Sequence, residues 1–244
     1  VSFKLMVIRY DGRTNLECGA ISANVGIFNS LNGSAEFSIG LSKVIATVWR
    51  PEEASSNKCK SYLEVILRPR IGQPQESHKL IEYHILRLFE KVIDFNSFSR
   101  CVISITLQIV SEDGPILPVC INAAVLALID LGIPMEFFPL AVSIAESSHF
   151  YGERDISHLM LDPTQSEFEQ CISCSTIVIN TTEKNIFSCI TNKGTGISHN
   201  ELLDEIHPIS LSIATSNSLI RHLSEILLDN IKCKVVRPYN NNLF

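Results

Sequence analysis

Apolar and polar positions alternate in short runs through the first third of the chain. Ala20–Phe28, Ala35–Ile39, Lys43–Trp49 and Tyr62–Leu67 are rich in β-formers and separated by Asn, Gly, Ser and Pro, which predicts strands. Asn32-Gly33-Ser34 reads as a hairpin-type turn and Pro51–Lys60 as a polar loop. The period then changes. Ile81, Ile85, Leu88, Phe89 and Val92 recur at helical spacing, so a helix is expected from Gln75 to Ile93, with Lys79, Arg87 and Glu90 on its wet side. Val102–Val110 reads as a strand. Pro118–Leu131 reads as a buried helix, with Pro118 in its first turn and Gly132 closing its far end. Leu140–Ala145 is a further strand and Ser147–Ser157 a polar loop. Ile177–Asn180 and Asn185–Thr191 pair as a hairpin around Thr182–Lys184, and Asn192–Gly196 is a loop. Helical pattern returns from Ser198 to Asp229, where Ser198 and Glu201 form a capping box and Pro208 interrupts.

Strands first, then helices mixed with strands, give an α+β architecture with helices packed on mixed sheets. One domain is expected over residues 1–229, followed by a loose tail over residues 230–244 that holds Pro238 and an Asn run. The 45% hydrophobic and 19% charged content supports a full core and excludes a compositionally disordered chain. A net charge of −6 means that contact with nucleic acid requires a local patch or a more basic partner. Eight cysteines, mostly inside apolar runs, read as reduced buried thiols and not as a disulfide scaffold. VSFKLMVIRYDGR has no basic n-region and no small-residue cleavage site, so it does not read as a signal peptide; it lacks an initiating Met, so trimming of a few residues is expected. Asn122 and Asp130 break the longest apolar stretches, so no membrane span is expected.

Ser104–Pro134 runs strand, acidic turn, helix, which is the usual frame for an anion site at a helix N-terminus. Pro115, Ile116, Leu117 and Pro118 furnish this entrance. None has a side-chain donor, and the two prolines remove two backbone donors. The frame of a catalytic fold is therefore present without the chemistry.

The segments DGR (Asp11–Arg13), Gly33-Ser34-Ala35, Gly40, Lys43-Val44, LEVILRPRIG (Leu63–Gly72), LQIVSEDG (Leu107–Gly114), NAAVLALIDLGIPM (Asn122–Met135) and LDPT (Leu161–Thr164) resemble the RNase PH family, in its order and spacing, over residues 10 to 229. Within the family, the LEVILRP and SEDG stretches most resemble the branch that builds the ring of the RNA exosome. The resemblance implies a ribosomal-protein-like βαβ fold and a six-membered ring around a channel that threads RNA, capped by RNA-binding subunits. It also implies RNA processing and degradation, rRNA included, in the nucleus, nucleolus and cytoplasm.

Active members cleave RNA with inorganic phosphate, held at a Gly-Gly-Thr-Arg turn that opens the helix corresponding to Pro118–Leu131. The matching positions are Gly114, Pro115, Ile116 and Leu117, a degenerate phosphate site: the threonine and arginine are replaced by aliphatic residues. A dianion there has nothing to replace its hydration shell. Active members also carry two aspartates six residues apart after the LD motif. Here Asp162 is followed six on by Phe168, Glu167 by Ser173 and Glu169 by Ser175. No catalytic residue is assigned.

Arg68, Arg70, Lys79 and Arg87 are the candidate RNA-binding residues, against the alternative of a solvated mixed-charge face in which Glu76, Glu82 and Glu90 are interleaved. Cys171-Ile-Ser-Cys174 lacks a second ligand pair, and in an extended segment its cysteines fall on opposite faces, so no metal or cofactor is assigned. Lys193-Gly194-Thr195-Gly196 does not have the spacing of a phosphate loop. His78 and His84 lack an obvious nucleophile partner. Asn122, inside an apolar helix, needs a buried partner, expected to be backbone. His149, Tyr151, Glu153, Arg154 and Asp155 cluster in a loop that either faces solvent or docks a partner.

The leading expectation is a non-catalytic ring subunit whose partners are other RNase PH-like ring chains and the cap subunits. The rivals are an active phosphate-dependent or metal-dependent ribonuclease, and a homodimeric nucleic-acid-binding protein outside the ring.

Overall fold

The structure is a computed structural model that describes residues 9, 11–15, 17–28, 32–53, 62–98, 100–146 and 159–194. The predicted helix Ser198–Asp229, the tail, the Ser147–Ser157 loop, Thr195 and Gly196, Cys59 and Cys233 lie outside the described residues.

The first sheet has six strands: β1 (Ile21–Val25), β2 (Gly33–Ile39), β3 (Ser42–Val48), β4 (Glu52–Glu53), β5 (Tyr62–Arg68) and β6 (Cys101–Ser111). β1, β2, β3 and β6 follow one another antiparallel, β4 pairs with the start of β6, and β5 runs parallel to β6. A parallel pair needs a crossover, and α1 (Glu76–Val92) supplies it. This is the βαβ unit. α1 packs on β5 with Ile85, Leu88, Phe89 and Val92 buried, the face expected from the spacing, with Ile81 partly buried. His78 is a cap here: its Nδ1 accepts from Gln75 N at 3.1 Å.

α2 (Leu117–Leu131) is apolar on all sides because it lies between two sheets. One side meets β2 and β3. The other meets β7 (Pro139–Glu146) of a second sheet with β8 (Leu159–Leu161), β9 (Ser173–Asn180) and β10 (Asn185–Lys193), ordered β10-β9-β7-β8 and antiparallel throughout. Every residue from Leu117 to Leu128 is buried. Asn122 survives there because Ala141 satisfies both ends of its amide: its Nδ2 donates to Ala141 O at 3.0 Å, and its Oδ1 accepts from Ala141 N at 2.9 Å. Gly132 ends the helix in the left-handed conformation.

Several expectations change. Gly33-Ser34 is not a turn but the start of β2, and the tight turn falls at Gly40-Leu41. The reason is α2: a Cβ at Gly33 would stand 2.2 Å from Ala127 O, so glycine there permits close helix–strand approach. Glu52–Glu53, expected in a loop, pairs with β6. β9 begins four residues earlier than the apolar run, and β10 takes in Asn192 and Lys193. β8 and the short helix α3 (Gln165–Gln170) carried no periodicity to announce them. Cys171 and Cys174 do not diverge. Cys171 caps α3 while Cys174 lies in β9, so a helix end separates them, and both are buried in a small cluster with Ala145. Of the six described cysteines, Cys120, Cys171 and Cys174 are buried and Cys189 is exposed. Burial pushes the Cys174 thiol up to about 12.

Candidate functional site

The α2 entrance is reached from β6 through Glu112, Asp113 and Gly114. Gly114 has φ +98°, which an L side chain rarely adopts, and an added Cβ would lie 2.3 Å from Pro163 O. The turn is thereby pressed against the LDPT segment, and Asp113 Oδ1 accepts from Gln165 N at 2.9 Å. Two motifs some 50 residues apart in sequence thus become neighbours.

Once assembled, the entrance is closed. Ile116 is 4% exposed and Leu117 is 3% exposed, both in the main core. Pro115 is partly buried and Pro118 occupies the first turn. The charges on the approach are the carboxylates Glu112 and Asp113, and Glu112 adds to the burial that drives the Cys120 thiol upward. Phosphate would meet aliphatic carbon and negative charge where it needs cations.

The carboxylates after the LD motif are committed elsewhere. Asp162, at φ +48°, accepts from Arg13 Nη1 at 3.1 Å and from Gly19 N at 2.9 Å through Oδ2. Burial raises its carboxyl above the ordinary value, outweighing those donors and Arg9. Glu167 pairs with Arg9, whose Nε donates to Glu167 Oε1 at 2.7 Å and whose Nη2 also meets Oε2. Burial alone would raise the Glu167 carboxyl, but Arg9 and the Thr164 N–H hold it below the ordinary range. Arg9 Nη1 donates to Leu161 O at 2.8 Å and Nη2 to Asp162 O at 2.9 Å. Arg13 also pairs with Asp11. Burial, with Asp162 adding to it, pushes the neighbouring Cys18 thiol up to about 12. This clip ties the DGR segment to the LDPT turn. The sequence held both motifs, but nothing in their spacing signals that the carboxylates face arginines of the N-terminal segment. Phe168, six residues after Asp162, is partly buried with Lys193 Nζ 5.6 Å from its ring centroid; Ser173 and Ser175 are buried.

The four candidate RNA-binding cations do not form one patch. Arg68 and Arg70 are exposed at the end of β5 and just beyond it. Lys79 is exposed on α1. Arg87 is occupied: Nη1 meets Glu90 Oε2 at 3.1 Å and its guanidinium lies 5.4 Å from the Tyr83 ring centroid. Glu82 is not on the wet face, because its Oε1 accepts from Leu67 N at 2.6 Å. Of the four, Arg68 lines a groove of about 650 Å³ on the sheet face opposite α2, beside residues that the sequence did not single out: Trp49, Arg50, Phe28 and Tyr62.

Among the described residues no His, Cys, Asp and Glu cluster has the makings of a metal site, and no helix is long and apolar enough to cross a membrane.

Residues 17–134 match the family model described as 3′ exoribonuclease family, domain 1. The exosome complex exonuclease RRP46 homologue of Arabidopsis thaliana is 32% identical over 178 residues, 71% of this chain and 72% of the relative. The crystal structure of rice (Oryza sativa) Rrp46 has a TM-score of 0.74 at 25% identity, covering 86% of this chain and 95% of that one. A chain of the Archaeoglobus fulgidus exosome with RNA bound to the active site has a TM-score of 0.69 over 89% of this chain and 93% of its own, a likeness of fold at 16% identity.

Proposed function

This chain belongs to the RNase PH family of 3′ exoribonuclease domains, and from that premise we propose that it is a non-catalytic ring subunit of an RNA exosome. Its relatives include exosome components, and its βαβ unit and two-sheet core have the form of exosome chains. In this role it closes the ring beside other RNase PH-like chains, carries RNA-binding cap subunits and helps guide RNA to processing and decay, rRNA included. It acts in the nucleus, the nucleolus and the cytoplasm.

One observation carries the non-catalytic part. Ile116 and Leu117, standing where a phosphate site needs a hydroxyl and a guanidinium, are buried beside Glu112 and Asp113. The nearby acids are held by Arg9 and Arg13, so they serve the fold. Leu41 and Ile71 are strongly exposed apolar side chains, surface of the kind an assembly covers.

Co-purification from the native cell tests the ring, and recovery without other RNase PH-like chains overturns it. Incubating the pure chain with RNA and inorganic phosphate tests the chemistry; release of nucleoside diphosphates overturns the non-catalytic reading.

A further inference from the structure

β5 has the composition of a strand that seeks a partner. Tyr62–Arg68 reads YLEVILR: apart from Glu64 and Arg68 its residues are apolar or aromatic, none is Gly or Pro, and the two charges cancel. Short segments of high β-propensity and low net charge, free of Pro, are those that pair with copies of themselves. β5 also lies at a sheet edge. It pairs with β6 on one side, and among the described residues no strand pairs with it on the other. An edge offers a row of main-chain N–H and C=O groups as a template for another chain.

The ladder fixes which of these groups face outward. Trp49 N donates to Ser104 O at 2.9 Å, so Ser104 of β6 addresses the β3 side, and its neighbours Ile103 and Ile105 address β5. In a parallel pair, the residue in register with one that faces the ladder turns its own N–H and C=O away. Leu63, Val65 and Leu67 are in register with Ile103, Ile105 and Leu107, so their main-chain groups point outward. Leu67 bears this out: its N–H goes not to β6 but to Glu82 Oε1 at 2.6 Å. A carboxylate acceptor makes that a charge-assisted bond. α1 packs on β5 and so brings Glu82 to the edge, where its side chain stands in for the acceptor that a further strand would supply.

We propose that Glu82 is a guard that keeps β5 from pairing with β5 of a second copy of this chain. The register of the blocked pairing follows from alternation and charge. Outward groups must meet outward groups, so an antiparallel pair sets Val65 opposite Leu67 of the second copy, the two residues exchanging both N–H···O bonds. The same register sets Glu64 opposite Arg68 of the second copy, on one face and twice over by symmetry. Arg68 is exposed and, among the described residues, forms no ion pair; Glu64 is exposed and its Oε2 accepts from Ser104 Oγ at 3.3 Å. Setting Val65 opposite itself instead would lose those ion pairs. The favoured register needs the Leu67 N–H as a donor, and Glu82 already holds it. The inference stands apart from ring membership, because it concerns the chain alone.

Amide hydrogen exchange on the full wild-type chain reads the edge directly. The Leu67 N–H should exchange at least about tenfold more slowly than those of Leu63 and Val65. Equal protection of all three would mean a covered edge and would overturn the guard. Light scattering over a range of concentrations then compares variants with wild type. Glu82→Ala should drive the mass toward twice the wild-type value as concentration rises. Glu82→Gln keeps a carbonyl acceptor for Leu67 N and should stay at the wild-type mass. Val65→Pro, added to Glu82→Ala, deletes an outward N–H and leaves the β6 ladder its bonds, so it should restore the wild-type mass. Thermal melts check each fold, and if Glu82→Ala does not hold its fold the wild-type exchange pattern still decides. An unchanged mass for Glu82→Ala, a Glu82→Gln mass that rises with it, or association that survives Val65→Pro would each overturn the guard. A chain that enters the ring but shows none of these responses sinks this inference alone; one that shows them but purifies without ring partners sinks the ring reading alone.

Discussion

Replacing Glu167 by Gln probes the clip that joins the two ends of the described chain. Arg9 is 2% exposed at its side chain and Glu167 10%, so the pair sits in a poorly screened place. Gln is nearly isosteric and its carbonyl can still accept the Thr164 N–H at the start of α3, now 2.8 Å from Glu167 Oε2, so the cap is retained. What is lost is the countercharge. Breaking a buried pair by removing one partner costs about 3–5 kcal/mol. Arg9 keeps its bonds to Leu161 O and Asp162 O, which favours the lower end, about 3 kcal/mol. For a chain of this size that corresponds to a melting point lower by about 6–12 °C. Exchanging both partners, Arg9→Met with Glu167→Gln, strands no charge and should cost less than the sum of the single changes.

The pH dependence fixes the sign. The folded carboxyl of Glu167 is held below its ordinary value of 4.5, so the unfolded chain takes up a proton first as pH falls. The contribution is complete above that ordinary value and is lost as pH drops through the depressed folded one. The gap between wild type and Glu167→Gln should be full near neutrality and close below about pH 4. Asp162, whose carboxyl is raised, works in the opposite sense, losing its contribution as pH climbs through the folded value, but it is present in both proteins and cancels in the difference. Urea melts followed by Trp49 fluorescence at several pH values measure this. A neutral-pH gap below about 1 kcal/mol, or one that persists unchanged in acid, refutes the clip as a charge-stabilised contact.

Installing arginine at Leu117, the position that would need it for phosphate, should not create phosphorolysis; it buries a guanidinium at a 3% exposed site and should lower the melting point, with nucleoside diphosphate release and a thermal melt as readouts. Gly114→Ala should destabilise by at least about 2 kcal/mol, because strain at φ +98° adds to a 2.3 Å contact with Pro163 O; unchanged urea stability would contradict this packing. Asn122→Ala strands the N–H and C=O of Ala141 in the core and should cost about 2–4 kcal/mol, measured by urea unfolding.

The helices α1 and α2 were legible to within a residue, because apolar spacing, Pro118 in a first turn and Gly132 at a helix end are local signals. The apolar character of Pro115, Ile116 and Leu117 was equally plain, since side chains without donors or charge read the same in any conformation. Glu82 was misjudged as a surface charge because only packing turns it toward Leu67 N. Gly33 looked like a turn because its need for the absence of a Cβ comes from α2, roughly a hundred residues later. The groove was hidden for the same reason: Trp49, Arg50, Tyr62 and Arg68 sit on separate segments that share a face only after β3, β5 and β6 align.

By itself, the order of residues determined the two long helices, most of the strands and the absence of side-chain donors at the α2 entrance, because propensity, periodicity and side-chain chemistry act within a few residues. Only the tertiary structure decided that Asp162 and Glu167 meet Arg13 and Arg9, and that Trp49, Arg50, Tyr62 and Arg68 come to line one groove of the first sheet. Partners distant in the chain are chosen by burial, register and charge in three dimensions, and sequence spacing carries no record of that choice.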